Sequence, residues 1–245
     1  MTLATAPVSG IIFDKDGTLF DFSTTWEAWA AAFLRRAAKG DESRAMLAGK
    51  AIGFDLSNRR FQAGSIVIAG TPNEIAAALA PHFPDLHQSE LVDLLNEEAA
   101  HAPQAEAVPL RAFLSGLRAR GLRLGVATND AEAPARTHLK AAGVEILFDF
   151  IAGSDSGFGG KPASGQLVAF CAETGLRPEN VVMVGDSTHD LRAGRTAGMR
   201  VVAVLTGLAP RHVLEPYADV VLADIGALPA WLDQLQLSDG SKSSF

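Results

Sequence analysis

The sequence predicts an α/β protein with a largely parallel sheet and an inserted helical domain. Short apolar runs alternate with helical patterns along most of the chain, and more than 100 residues separate the first such run from the second. The chain has 245 residues, of which 48% are hydrophobic and 20% are charged. This length and composition are typical of a folded globular protein and exclude a disordered chain.

The predicted strands are runs rich in Val and Ile, each bounded by Gly, Asp or Asn, as in the buried strands of parallel sheets. They are residues 10–13, 123–128, 148–153, 181–185, 201–206 and 220–222. Apolar side chains at helical spacing lie between most of these runs and predict helices. The predicted helices are residues 110–120, 133–142, 166–174 and 191–197.

The interval between the first two strands is too long for a simple crossover, so an inserted domain is the simplest explanation. Its content is helical: residues 25–38 and 91–100 show helical spacing, and Thr71-Pro72-Asn73-Glu74 is a helix start capped by Thr71. Residues 19–24 and 102–109 are the predicted linkers. We therefore expect a Rossmann-like α/β core of residues 1–20 and 108–245 and a helical domain of residues 21–107.

Charge and cysteine content exclude several classes of protein. A formal net charge of −7 disfavours a broad surface for nucleic acid. The single cysteine, Cys171, excludes an internal disulfide. The first residues lack the features of a secretory leader, and no apolar stretch reaches the ~18 residues that a membrane-spanning helix needs. We expect a cytoplasmic protein that binds neither nucleic acid nor membrane.

Two carboxylates follow the first predicted strand, in the segment Asp14-Lys15-Asp16-Gly17-Thr18. Ligands of open α/β sheets bind beyond the carboxyl ends of the strands, so this position is a candidate site. Asp and Gly are also common in turns, and this segment alone is equally consistent with a structural turn.

Three further segments favour a functional site, because they lie at the same edge of the predicted sheet. Thr128-Asn129 ends the second strand, Lys161-Pro162 precedes a helix, and Gly185-Asp186-Ser187-Thr188-His189-Asp190 ends the fourth strand. With the first segment, these residues resemble, in order, all four motifs of the haloacid dehalogenase superfamily of phosphohydrolases. The resemblance covers nearly the whole chain. It is closest to the phosphoglycolate phosphatase-like branch, in which a helical cap follows the first motif.

The resemblance implies a phosphatase that hydrolyses a small phosphorylated metabolite, either phosphoglycolate-like or a sugar phosphate, through an aspartyl phosphate. Asp14 would be the nucleophile. Asp16 would protonate the leaving alcohol and then take a proton from the hydrolytic water. Thr128, Asn129 and Lys161 would bind the phosphate.

A metal ion is expected because Asp14, Asp16, Asp186 and Asp190 crowd four acidic groups into one cavity. Oxygen donors without a cluster of His or Cys favour Mg²⁺ over zinc. We expect carboxylate ligands from Asp14 and Asp186, and the resemblance implies that Asp16 contributes its backbone carbonyl.

The remaining motif residues have supporting roles. Gly17 permits a tight turn close to the phosphate, and Thr18 follows it in the first motif. Asp190 has two possible roles: it stabilises the start of a helix, or it orients Lys161 or a metal-bound water.

The inserted domain carries all of its Lys and Arg residues before Phe61. Arg59 and Arg60 are our candidates for binding an anionic substrate, and the alternative is that they are solvated side chains. Trp26 and Trp29 lie on one helix face, where packing within the domain is the favoured interpretation.

Two other functions remain open at this point. A sugar phosphomutase of the same fold would return the phosphoryl group to a second hydroxyl. A catalytically silent, partner-binding protein would keep the fold without the reaction, although all of the motif residues are present. The oligomeric state does not follow from the sequence.

Overall fold

A six-stranded parallel sheet forms the centre of the molecule. The computed structural model describes residues 7–62 and 64–240; residues 1–6, on which the expectation of no secretory leader rests in part, lie outside this range. The strands are β1 (Gly10–Phe13), β2 (Phe54–Asp55), β3 (Arg60–Phe61), β4 (Arg123–Ala127), β5 (Phe150–Ala152), β6 (Val181–Gly185), β7 (Arg200–Val204) and β8 (Val220–Leu222). The order in the sheet is β5-β4-β1-β6-β7-β8, and β2 and β3 form a separate antiparallel hairpin.

Apolar side chains cover both faces of the sheet. Because side chains alternate along a strand, Ile11 and Phe13 belong to one hydrophobic cluster and Ile12 to another. The helices on these faces are α5 (Leu110–Ala119), α6 (Glu132–Ala141), α7 (Gly165–Thr174), α8 (Thr188–Ala197), α9 (Arg211–Leu214) and α10 (Leu228–Gly240). The predicted α/β class with a largely parallel sheet is confirmed.

Residues 21–107, which we call the cap segment, are mainly helical. The helices are α1 (Phe22–Ala37), α2 (Glu42–Ala51), α3 (Pro72–Leu79) and α4 (Gln88–Ala100). Their buried side chains form a hydrophobic cluster separate from the two at the sheet. Within residues 7–62 and 64–240, no helix has the length and apolar character that a membrane crossing requires.

The predicted helix start at Thr71 is confirmed. Its backbone N–H donates to Glu74 Oε2 at 2.8 Å, and its hydroxyl accepts from the Glu74 N–H at 3.4 Å, which makes a capping box. The prediction that residues 19–24 form a linker is wrong in part, because α1 already begins at Phe22. The reason is the cap at Asp21, whose carboxylate accepts from the Thr24 N–H at 2.7 Å.

The two connections between the cap segment and the sheet domain, by which we mean residues 7–20 and 108–240, lie side by side. Asp21 donates its backbone N–H to the Ala105 carbonyl at 2.8 Å, and Ala107 donates to the Leu19 carbonyl at 2.9 Å. The cap segment therefore leaves and rejoins the sheet domain at one place, next to the end of β1.

Candidate active site

The end of β1 places two aspartates at the edge of the sheet. All four residues of β1 are buried, and the Asp14 N–H continues the strand by donating to the Val184 carbonyl at 2.8 Å. Gly17 then adopts a φ of 80°, which glycine tolerates best, and its N–H donates to the Phe20 carbonyl at 2.7 Å. This turn leaves Asp14 buried and Asp16 partly exposed beside it.

Lys161 brings its ammonium group into the same place. Its Nζ lies 2.5 Å from Asp14 Oδ1 and 2.7 Å from Asp190 Oδ1, and it donates to the Ala127 carbonyl at 2.7 Å. The Lys161 side chain is 3% exposed, so these three acceptors replace water around the cation.

Asn129 fixes the backbone of Lys161 from the end of β4. The Lys161 N–H donates to Asn129 Oδ1 at 2.7 Å, and Asn129 Nδ2 donates to the Lys161 carbonyl at 2.8 Å. Asn129 Nδ2 also donates to the Ala69 carbonyl at 2.6 Å. One amide therefore joins the loop of Lys161, the end of β4 and the cap segment.

Thr128 is buried beside Asn129. Its hydroxyl oxygen accepts from the Asp130 N–H at 3.1 Å, and its carbonyl accepts from Gln166 Nε2 at 3.0 Å. These contacts fix the loop after β4 against α7.

Asp186 and Asp190 complete an acidic cluster. Asp186 follows β6, and carboxylate oxygens of Asp14, Asp186 and Asp190 lie within 4.8 Å of one another. Asp190 Oδ2 accepts from the Ser187 N–H at 3.0 Å and from its hydroxyl at 2.7 Å, at the start of α8. Asp190 thus both caps α8 and binds Lys161. The two roles considered from the sequence, helix start and contact with Lys161, are therefore compatible.

The charges of this cluster do not balance. The pKa of Asp14 is raised to about 7, mainly by burial. The attraction of Lys161 lowers this pKa, whereas Asp190 and Asp16 raise it. Burial and the neighbouring carboxylates also raise the pKa of Asp186. For Lys161, burial alone would lower the pKa, but Asp14 and Asp190 raise it above its ordinary value. The site is therefore short of positive charge, and a cation would relieve it.

One family model matches most of this chain. Residues 8–198 match the family model described as haloacid dehalogenase-like hydrolase. The chain belongs to this family.

Among its relatives, the phosphoglycolate phosphatase of Nitrosospira multiformis is 28% identical, with 89% of this chain and 93% of that protein aligned. The phosphoglycolate phosphatase of Rhodospirillum rubrum is 36% identical, but the alignment covers only 49% of this chain and 50% of that protein. A solved structure with a similar fold is CbbY from Rhodobacter sphaeroides in complex with phosphate, with a TM-score of 0.69 and 22% identity over 92% of this chain and 99% of the other. The predicted phosphatase class and the phosphoglycolate phosphatase-like branch are confirmed.

The carboxylate cluster of this haloacid dehalogenase-like hydrolase fits a hard metal ion. A Cβ on Gly207 would lie 1.6 Å from Asp186 Oδ2, and one on Gly17 would lie 2.5 Å from the same atom. Two glycines therefore leave room for the Asp186 carboxylate at the cluster. Both oxygens of Asp190 are bonded, Oδ1 to Lys161 and Oδ2 to Ser187, whereas Lys161 bonds only Oδ1 of Asp14. Asp14 and Asp186 are therefore the better placed carboxylates for a cation.

A cavity opens above the cluster, between the sheet domain and the cap segment. It holds about 610 Å³ of empty space, part of it open to solvent. The predicted residues Asp14, Asp16, Thr128, Asn129, Lys161, Asp186 and Asp190 all line it. Arg59 and Arg60 do not: both are exposed at the β2–β3 hairpin.

The hydrolase has a second buried cation, which the sequence did not predict. Lys15 is fully buried, and its Nζ lies 2.8 Å from Asp16 Oδ2 and 3.1 Å from Asp130 Oδ2. Burial alone would lower the pKa of Lys15, but Asp16 and Asp130 raise it. Lys15 thus binds the Asp16 side chain without itself lining the cavity.

His138 connects Lys15 to the cap segment. Its Nδ1 lies 3.0 Å from Lys15 Nζ, and its Nε2 lies 2.7 Å from the Ala99 carbonyl in α4. The Lys15 ammonium can only donate, so His138 Nδ1 accepts from it. The Ala99 carbonyl can only accept, so Nε2 carries the proton, and His138 is neutral. The sequence alone does not predict this contact, because Lys15 and His138 are more than 100 residues apart and only the fold brings them together.

Proposed function

We propose that this hydrolase is a Mg²⁺-dependent phosphomonoesterase whose nucleophile is Asp14. The observation that carries the proposal is the Asp14 carboxylate, which is bonded to Lys161 and lies within 4.8 Å of the Asp186 and Asp190 oxygens. Mg²⁺ prefers oxygen ligands, and the carboxylates of Asp14 and Asp186 with the backbone carbonyl of Asp16 would hold it. When bound, the ion would neutralise negative charge on the transferring phosphoryl group.

The first step forms an aspartyl phosphate. An Asp14 oxygen forms a bond to phosphorus while the bond from phosphorus to the alcohol oxygen breaks, and Asp16 gives its proton to that oxygen. Lys161, the Thr128 hydroxyl and the Asn129 N–H would bind the phosphate oxygens from the other side. Lys15 keeps the Asp16 carboxyl in place, 2.8 Å away.

The second step releases phosphate. Asp16 takes a proton from a water molecule, whose oxygen forms a bond to phosphorus while the bond between phosphorus and Asp14 breaks. The products are inorganic phosphate and the free Asp14 carboxylate. The substrate is a small phosphorylated metabolite, and we expect the reaction in the cytoplasm, with neither nucleic acid nor membrane as a partner.

The test is phosphate release from a panel of phosphomonoesters by the full chain, with Mg²⁺ and with excess EDTA. Release should require Mg²⁺ and should be abolished in Asp14→Asn, whereas Asp16→Asn should lower kcat by about 10²- to 10⁴-fold. Asp93→Asn is the matched control, because Asp93 is exposed on α4. Phosphate release by Asp14→Asn at the wild-type rate would contradict the assigned nucleophile.

Two further measurements separate the alternatives. Acid quenching during turnover of a ³²P-labelled substrate should trap label on the wild-type protein and not on Asp14→Asn. Conversion of glucose 1-phosphate to glucose 6-phosphate faster than phosphate release would indicate a phosphomutase. Absence of both reactions across the panel would favour a silent binding protein.

A further inference from the structure

The cap segment gives the cavity an apolar wall. Twelve of the described lining residues come from the cap segment, and Asn96 is the only one of them with an amide, hydroxyl or charged side chain. The rings of Trp26 and Trp29 meet edge to face with centroids 5.0 Å apart, and Val67 and Ile75 are buried in the same wall. A carboxylate or second phosphate placed there would lose its hydration without gaining an opposite charge.

The cations near the cavity are already paired. Lys161 is bound by two aspartates. Lys15 lies 5.5 Å from the centroid of the Trp26 ring, but it is fully buried and also paired with two aspartates. Arg59 and Arg60 are exposed at the hairpin. In the part of the cap segment that the structure describes, no Lys or Arg side chain lines the cavity.

Two residues of this wall each carry a buried polar atom that has no hydrogen-bond partner in the described part of the chain: Trp26 Nε1, a donor, and Asn96 Oδ1, an acceptor. The neighbouring Trp29 differs, since its Nε1 donates to the Leu95 carbonyl at 3.0 Å. A buried polar atom without a partner is costly, so these two atoms point to a ligand that supplies the missing hydrogen bonds. Both belong to neutral side chains, which suits a neutral polar group on that ligand.

We propose that the cavity selects phosphomonoesters whose alcohol carries an uncharged aromatic or aliphatic group with a neutral hydrogen-bonding substituent. Trp26 and Asn96 bind that substituent, and the rings and aliphatic side chains of the cap segment cover the rest. This inference rests on the proposed phosphatase function and gives it a substrate class. It disfavours phosphoglycolate, whose carboxylate would face the apolar wall.

The first experiment compares kcat/KM of the full chain with Mg²⁺ for benzyl phosphate, 2-phosphoglycolate and glucose 6-phosphate. We expect benzyl phosphate to exceed both others by at least about tenfold, since an unpaired carboxylate or several unpaired hydroxyls must be desolvated. A smaller or reversed ratio overturns the inference while leaving a working phosphatase. Release of phosphate from none of the three overturns the proposed function instead, and this inference with it.

The second experiment tests the role of Trp26 with benzyl phosphate and its 2-, 3- and 4-acetyl derivatives, whose ketone only accepts hydrogen bonds. The wild type should prefer at least one acetyl derivative over benzyl phosphate by about fivefold in kcat/KM, and Trp26→Phe should lose that preference. Trp29→Phe is the control: it should keep the preference but lower Tm, because it loses the bond to Leu95. A wild type without preference, or a Trp26→Phe variant that keeps it, overturns the assignment of Trp26.

Discussion

Gly207 controls where the Asp186 carboxylate lies, so Gly207→Ala is a direct test of the proposed metal site. The added Cβ would lie 1.6 Å from Asp186 Oδ2, whereas ordinary van der Waals contact begins at 3.4 Å. The carboxylate must therefore move by about 1.8 Å. Because an Mg–O bond is ~2.0–2.1 Å long, a displacement of this size removes the carboxylate from a shared ion.

The expected effect is on metal affinity. Disturbing the groups that orient a ligand typically costs ~10- to 100-fold in metal affinity, and loss of the ligand itself places the variant at the upper end of that range. Isothermal titration calorimetry measures the Kd for Mg²⁺, and a phosphate-release assay measures the Mg²⁺ concentration that gives half-maximal activity. The Kd and the half-maximal Mg²⁺ concentration should increase by the same factor.

The matched control is Gly116→Ala. Gly116 lies inside α5, and a Cβ there meets no atom of the described residues within 4 Å. Alanine at an open helical position should stabilise the protein by ~0.5–1 kcal/mol and leave Mg²⁺ affinity unchanged. Wild-type Mg²⁺ affinity in a folded Gly207→Ala variant would refute the placement of the ion beside Asp186.

Three other predictions concern the buried polar groups. Burial lowers the pKa of His138 to about 4, with Lys15 lowering it further. In the unfolded chain the pKa of this histidine is about 6.5, so the neutral imidazole contributes fully to stability above that pH. The contribution is lost as the pH falls towards 4, and the loss is about 2 kcal/mol at pH 5. Urea unfolding should show this loss in the wild type and not in His138→Gln. Lys15→Met should lower the free energy of unfolding by about 3 kcal/mol, because it leaves the buried Asp130 carboxylate and the partly exposed Asp16 carboxylate without their cation. Asn129→Ala should lower it by about 2 kcal/mol and raise KM, because the loop of Lys161 loses two hydrogen bonds.

Each of these has an outcome that contradicts it. Parallel pH profiles for wild type and His138→Gln would show that the imidazole is not held neutral. Lys15→Met within 1 kcal/mol of the wild type in urea would contradict a buried ion pair, and Lys15→Met with Asp130→Asn should recover part of the loss. An unchanged KM in Asn129→Ala would show that the Lys161 loop keeps its position without the amide.

The sequence predicts the sheet well because its central strands, such as β1 and β6, are buried on both faces. β1, β6 and β8 begin and end at the predicted residues. The helix α8 begins three residues before the predicted start, since the capping box of Ser187 and Asp190 adds a turn that has no apolar residue. The helix α2 was missed because its buried residues are Ala45, Ala48 and Gly49, which give little hydrophobic contrast.

The motif residues were predictable because parallel strands end at one edge of the sheet. The buried Lys15 was not, since a lysine between two aspartates has the same pattern as a solvated side chain, and only the fold brings Asp130 and His138 to it. The charge pattern of the cap segment pointed to Arg59 and Arg60 as substrate ligands. Charge along a sequence does not tell which face of a hairpin meets a cavity, and the structure leaves both side chains in solvent.

The paired connections at the base of the cap segment make the insertion separable from the domain that carries it. Phe20 forms β-bridges with both Asp16 and Glu106, so the outgoing and returning chains are neighbours at the spacing of adjacent strands, ~4.8 Å. A linker of a few residues would therefore close the sheet domain if residues 21–107 were excised. Replacement of this segment by another would change the wall that meets the alcohol, and the new segment would have to supply acceptors in place of the Ala69 and Ala99 carbonyls, which bind Asn129 and His138. Under the proposed phosphatase function, a different segment at this place would then select a different ester.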